Sequence, residues 1–420
     1  MKQILISSYT RIKETNIIAN FLNLSSIQLS NILLLVLIFP IITHQIGIEA
    51  FGFVMLANTF SVLSGTIVNY GTNQTGIRDI AAHLKDQQRL RNIFYNTLWI
   101  RTLLFLFYLL LLFVLQWLSI QYYLFILFSL PLVLGEVLNP LFFFIGIEKL
   151  KLYNIANVLS KVTAIVMLFF FIDGSKDAIW VNFILGSATV ITYAFLLYIA
   201  IRDYKLHFSG PVKSDMLAIT RNNFYLTINN ISNNLQQSII IFALAKWGTA
   251  PVLGAYTLCD KVIGSCRILL ITVSNAVYPK SAQLYKLSPR LWKRYKKRMQ
   301  VLITALFFIG SILLFVFAPF AVKVLSGEEN DMAVFFLRIM ALVPTISALN
   351  VLNVLDQLLK NNNVYIFRIA MVLLALSVLL ALCLIQLSNP LWVGSFTLII
   401  EISGLLMYQY VVAKPVLKHD

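Results

Sequence analysis

Residues 227–240 read TINNISNNLQQSII, which packs six amide side chains into a stretch flanked by oily sequence. Asn223, Thr227, Asn230, Asn233 or Asn234, and Gln237 step by three or four residues, so a helix here carries them on one face. In a membrane helix a lone Asn or Ser is commonly packing glue worth under about 1–2 kcal/mol. Eight amides between Asn222 and Gln237 exceed that need. They suit the wall of a hydrated cavity that can hydrogen-bond a hydroxyl-rich solute such as a sugar chain. The first oily run repeats the pattern: NIIANFLNLSSIQLSN places Asn16, Asn20, Asn23, Ser30 and Asn31 on one broad face.

Charge is the second chemical signal. Six basic residues fall inside apolar runs: Arg101, Lys161, Lys261, Arg267, Arg338 and Arg368. A charge deep in a bilayer costs at least about 2.5–3.5 kcal/mol unless it meets water, protein or a partner. Lys161 has no carboxylate in its own run, which points it to a lumen or to another helix. Asp260 shares a face with Arg267, so an ion pair competes with a lumen role for Arg267, while Lys261 leaves the local sum positive. Arg101, Arg338 and Arg368 lie within a turn or two of a run's end, where a long side chain can snorkel to headgroups. Snorkelling is the expectation for Arg368; for Arg101 and Arg338 a lumen role stands beside it. The acids in these runs are few: Glu136, Asp260, Asp356 and Glu401. Glu401, with Asp260, is the candidate for coupling to H+ or Na+, against a plain ion pair between Glu401 and a lumen cation.

The elements that must position these groups are helices. The chain has 420 residues, 59% hydrophobic and 12% charged, with a mean hydropathy of +0.83, far above a soluble domain of this length. Runs near the roughly 20 residues needed to cross a hydrocarbon core recur along the whole length, and barrel strands would be shorter and alternate. The breaks predict about twelve transmembrane helices, near 17–42, 50–72, 96–117, 121–145, 152–172, 178–201, 222–246, 252–276, 299–322, 332–358, 364–386 and 391–413. The N-terminal tail, the even-numbered connections and the C-terminus hold 24 basic residues against 3 in the other connections. Basic residues stay in the cytoplasm, so both termini are expected there, with a multi-pass protein of the bacterial cytoplasmic membrane as the class. The opening MKQILISSYTRIKETN has too short an apolar run for a signal peptide and reads as a cytoplasmic tail.

An amide-bearing helix opens each block of six spans. The expectation is an all-α fold of two six-helix halves around a central hydrated cavity, 1–208 and 222–420, joined by a cytoplasmic linker at 209–221. Six is even, so the halves would be related by an axis along the membrane normal. Cys259, Cys266 and Cys383 lie in apolar runs and read as small buried thiols. His44, His83, His207 and His419 share no ligand spacing, so neither metal nor cofactor is expected, and no catalytic constellation is present. The basic cluster RLWKRYKKRM at 290–299 suits anionic lipid headgroups and not nucleic acid.

The segment 39–104, with Pro40, Gly47, Phe51–Gly52, Gly71, RDIA and Arg101, resembles the N-terminal signature of the Wzx-type polysaccharide flippases, and 253–285 and 325–344 are similar to that family's eighth and tenth helices. The resemblance implies membership of the multidrug/oligosaccharidyl-lipid/polysaccharide exporter superfamily. It further implies alternating-access movement of undecaprenyl-diphosphate-linked oligosaccharide from inner to outer leaflet, for O-antigen, capsule or exopolysaccharide synthesis. Lumen cations Lys161, Lys261, Arg267, Arg101 and Arg338 would then face the diphosphate, and the amides Asn20, Asn23, Asn31, Asn223, Asn230, Asn233, Asn234 and Gln237 would line the cavity. Membrane lipids, a polymerase and a chain-length regulator are the partners this implies. A drug–cation antiporter shares the twelve-helix plan but is expected to carry a carboxylate in its first helix, and 17–42 has none. A polymerase or glycosyltransferase would need a large external loop, whereas every external connection is expected at about ten residues or fewer.

Overall fold

The computed structural model describes residues 36–118, 122–360, 362–387 and 389–413, and among them every element is helical. Ten helical segments are long and apolar enough to cross a membrane, so this is a multi-pass membrane protein. The 35-residue α10 (Lys213–Trp247) is not among the ten, because its amides lower its hydropathy while its length would span a bilayer. The first expected span is described only as α1 (Val36–Ile46). Asn20, Asn23 and Asn31 therefore lie outside the described residues.

After α1 the chain runs through α2 (Ile48–Asn69), α3 (Thr72–Ala82), α4 (Gln87–Trp117), α5 (Tyr123–Phe128), α6 (Leu130–Leu138), α7 (Leu141–Gly146), α8 (Leu150–Phe171) and α9 (Trp180–Asp203). Beyond α10 come α11 (Ala250–Leu287), α12 (Pro289–Val316), α13 (Ala318–Ser326), α14 (Asp331–Met340), α15 (Val343–Leu359), α16 (Asn363–Gln386) and α17 (Phe396–Ala413). Packing order repeats: α2 lies on α6 as α11 lies on α15, α6 on α9 as α15 on α17, and α8 on α9 as α16 on α17.

The second expected span ends where expected and the fourth is broken, each for a local cause. Tyr70 (φ 49°) and Gly71 (φ 67°) are consecutive left-handed residues that end α2 and re-aim the chain into α3. The fourth span divides at Ser129 and again at Asn139–Pro140. Proline has no N–H and its ring crowds the carbonyl four residues earlier, which here is that of Glu136. α10 begins at Lys213, so the segment expected as a linker is already helical through most of its length.

α2 and α11 cross backbone to backbone at their N-terminal ends. A Cβ on Gly52 would lie 2.8 Å from the Gly254 nitrogen, and one on Gly254 would lie 2.2 Å from the Ile48 carbonyl oxygen. Around the crossing an apolar core with Ile42, Phe51, Met55, Tyr256, Phe336 and Phe396, all buried, seals this end of the molecule. The polar interior lies further along the same helices.

Candidate functional site

α10 sits between the two packing repeats, against α2 and α16. Its amides divide by position. Asn223, fully buried, donates from Nδ2 to the Tyr70 carbonyl (3.1 Å) and to Thr75 Oγ1 (3.0 Å), pinning α10 to the α2–α3 turn. Gln236 Nε2 donates to the Ala370 carbonyl (2.7 Å) and ties the helix to α16. Asn230, Asn233 and Asn234 line a cavity of about 510 Å³. Opposite them stand Asn58, Ser61, Thr66 and Asn69 of α2, Asn73 and Gln74 of α3, Glu136 of α6, and Thr189 and Tyr193 of α9. Asn234 Nδ2 donates to Thr66 Oγ1 across the cavity's edge (2.5 Å). The size falls within the about 300–1,000 Å³ common for ligand sites, and the wall is far more polar than the usual apolar pocket.

Behind the wall lies Arg101, with 0% exposure. Its Nη1 donates to the carbonyls of Asn139 (2.7 Å) and Glu136 (3.2 Å), the groups that the Pro140 break leaves without helical partners. Nε donates to Thr72 Oγ1 and Nη2 to Asn73 Oδ1, both at 2.8 Å, and the guanidinium carbon stands 5.1 Å from the centre of the Phe142 ring. The structure thus buries Arg101 behind the cavity wall, where it closes a broken helix.

Arg267 has a different setting. Its Nη2 is 3.0 Å from Glu401 Oε1, with side-chain exposures of 17% and 22%, on a small 60 Å³ pocket that Asp260 and Gln237 also line. Three of the expected groups on α11 and α17 are thereby brought together with Gln237 of α10. The ion pair is to Glu401, on the other helix, and not to Asp260 in the same helix. Lys261 is half-buried one residue along, and among the described residues its ammonium forms no ion pair. Lys161 is half-buried at the middle of α8, away from both pockets. Arg338 is exposed on α14, with its guanidinium carbon 5.7 Å from the Phe315 ring centre. Asp356, at the end of α15, accepts from Trp292 Nε1 (2.7 Å) and Lys360 Nζ (2.8 Å), a staple between α12 and α15.

Sequence reasoning missed most of the cavity wall. Asn58, Asn69, Asn73, Gln74, Thr189 and Tyr193 sit one or two to a helix, with no periodic amide run to flag them. Glu136 carried a signal as the lone charge in its run, although its closeness to the α10 amides was not readable.

The chain matches the polysaccharide biosynthesis protein family over residues 17–285. It belongs to that family. Among relatives of this family member, the "Putative O-antigen transporter" of Escherichia coli (strain K12) is 24% identical over 352 residues, 82% of this chain and 83% of that one. The protein of the same description from Shigella dysenteriae is 26% identical over 348 residues, 80% of this chain and 84% of that one. Among solved structures, the inward closed conformation of the lipid II flippase MurJ superposes with a TM-score of 0.70 at 13% identity, covering 94% of this chain and 88% of MurJ. An inward-facing multidrug resistance MATE family transporter of the MOP superfamily superposes with a TM-score of 0.68 at 15% identity, covering 93% and 98%. Identities this low carry the fold alone, and that fold is shared by both kinds of transporter.

Proposed function

We propose that this protein is a flippase that carries undecaprenyl-diphosphate-linked oligosaccharide across the bacterial cytoplasmic membrane by alternating access, for synthesis of a surface polysaccharide. The observation that carries the proposal is the cavity of about 510 Å³ walled by amides and hydroxyls inside a helical membrane protein. Such a wall offers many hydrogen bonds beside its apolar contact with Val62 and Leu132, a mixture that suits a sugar ring with its hydroxyl edges and C–H faces. Lys261 and Arg267, on α11 in the other packing repeat, would face the diphosphate, Arg with bidentate geometry. The family match and the O-antigen transporter relatives support the same reading.

With both termini in the cytoplasm, the Gly52–Gly254 crossing faces outside, which makes this an outward-closed state. Alternating access then requires α2 and α11 to part there while the opposite end closes. Exchange of the Glu401–Arg267 pair for a coupling H+ or Na+, assisted by Asp260, is the step we assign to the small pocket. A polymerase and a chain-length regulator of the same pathway are the partner proteins that follow from this role.

A drug–cation antiporter fits the fold equally but not the interior: residues 17–42 hold no carboxylate, and the amide-walled cavity is built for hydrogen bonding. A polymerase fits less well, since α10 passes to α11 through residues 248–249 alone and α13 to α14 through 327–330. Purified protein in proteoliposomes should move a fluorescent lipid-diphosphate oligosaccharide to the opposite leaflet and should not drive ethidium uptake. Ethidium transport without oligosaccharide movement would decide for the antiporter.

A further inference from the structure

Among the described residues that line the amide cavity, Glu136 carries the only charge. The expected first span, 17–42, itself contains no charged side chain. The carboxylate is held in place from several directions. Its stem crosses Gly65 of α2, where an added Cβ would lie 2.9 Å from Glu136 Cγ. Asn69 Nδ2 donates to Oε2 (3.3 Å), and Arg101 grips the Glu136 carbonyl from behind. Arg101 is fully buried and donates to Thr72, Asn73 and two carbonyls, so it extends no hydrogen bond to an anion inside the cavity and its charge acts only from behind the wall.

We infer that Glu136 sets the cargo class of this cavity: oligosaccharides of neutral or amine-bearing sugars are accepted, and sugars bearing a carboxylate at that position are repelled. A neutral sugar hydroxyl donates to the Glu136 oxygens and accepts from the surrounding amides, while an ammonium pairs with the carboxylate directly. A uronate there meets a like charge in the first layer of the wall, and among the described lining residues no cation touches it, a repulsive element of the kind that specificity uses. The lipid diphosphate escapes the penalty because Lys261 and Arg267 lie on α11, outside this cavity. The inference rests on the flippase reading and deepens it.

Three lipid-diphosphate trisaccharides that differ in one sugar, as the neutral hexose, its 2-amino form or its uronic acid, decide the matter in proteoliposomes with full-length protein. The wild type should flip the uronate form about tenfold more slowly than the neutral one, a factor that a like charge at hydrogen-bonding range readily supplies. Glu136→Gln, which keeps the shape, should bring uronate to within about threefold of neutral and cancel any gain from the amine. Gly65→Ala, which displaces the Glu136 stem, should narrow the same ratio and serves if Glu136→Gln does not accumulate. Equal wild-type rates for all three cargoes overturn the inference and leave the flippase reading standing. An unchanged ratio in both variants overturns it too, as does loss of all three cargoes in Glu136→Gln at normal abundance, which would make Glu136 part of the transport step. A wild type that moves none of them refutes the flippase reading and this inference together.

Discussion

Arg101 and Arg267 are both arginines inside apolar spans, yet the molecule uses them differently. Arg101 makes four hydrogen bonds to α3, α6 and the α6–α7 break and has 0% exposure. Two of its acceptors exist only because Pro140 interrupts a helix. Arg267 has one ion-pair partner, Glu401, on a pocket that also holds Asp260. A guanidinium held by backbone carbonyls cannot let go without exposing them, so it is architecture. One held by a single half-buried carboxylate is free to change partners, which is what the proposed flippase cycle asks of it: a diphosphate for the guanidinium and a small cation for the carboxylate.

The sharpest way to break this comparison is Arg101→Met. It leaves the Glu136 and Asn139 carbonyls, Thr72 and Asn73 without their donor, at about 1–3 kcal/mol for each group that finds no substitute. Loss of folded protein from the membrane is the expected result, and Arg101→Lys should rescue little, because one ammonium cannot span the same acceptors. The measurements are membrane abundance and thermal stability in detergent. A stable Arg101→Met protein that only fails to transport would place Arg101 among the cargo-binding cations after all.

Arg267→Ala should do the reverse. Glu401 keeps part of its side chain exposed, so water can reach it once abandoned, and abundance should stay within about twofold of wild type while flipping falls at least about tenfold. The double change Arg267→Gln with Glu401→Gln leaves no unpaired charge, and its proteoliposome rate separates pairing from cargo binding. If the double variant flips at the wild-type rate, Arg267 serves only to neutralise Glu401. A double variant as slow as the single one makes the charge itself the requirement.

Smaller effects should split the amides of α10 along the same line. Asn223→Ala removes two hydrogen bonds from a buried clamp and should lower stability by about 1–3 kcal/mol. Replacing Asn230 and Asn233 together by Leu should leave stability near wild type and reduce surface glycan, because these two line the cavity and pin nothing. Adding Asn234→Leu also deletes the bond to Thr66 Oγ1, so the triple variant should lose some stability as well. Glycan export at the wild-type level in the double variant would reduce the α10 face to packing.

The sequence made the helices legible because each span must be apolar and about 20 residues long whatever its tertiary partners, and the α10 amides legible because they recur at helical spacing. The end of the second span near Gly71 was legible, because polar sequence follows it. The break at Asn139–Pro140 was not, since it interrupts an otherwise apolar run where hydropathy averages over the very residues that turn the chain. Arg101 could not be assigned from its run for a related reason: its partners are carbonyls and short polar groups on other elements, which leave no charge pattern. Arg267 was closer to readable, since the sequence offered Asp260 and Glu401 as partners, and only packing of α11 on α17 chooses between them. Asn58 and Tyr193 join the cavity through helix packing, beside Ser61 and Asn69 on α2 and Thr189 on α9, polar residues too few and too scattered among apolar ones to stand out as the α10 amides do.

The smallest effect belongs to Arg338, whose sequence position left a lumen role open. It is exposed on α14, beside the exposed Phe315 ring of α12, and borders neither pocket. A cation at an exposed ring contributes about 0.5–1 kcal/mol, and a long side chain near a helix end can keep its charge at the headgroups. Arg338→Gln should therefore lower detergent stability by no more than about that amount and leave flipping within about twofold of wild type, whatever sugar the cargo bears. Loss of flipping comparable to Arg267→Ala, at normal abundance, would mean that a cation outside both pockets handles the cargo. The contrast between a structural and an exchangeable arginine would then need a third kind, one that acts where the lipid-linked cargo enters from the membrane.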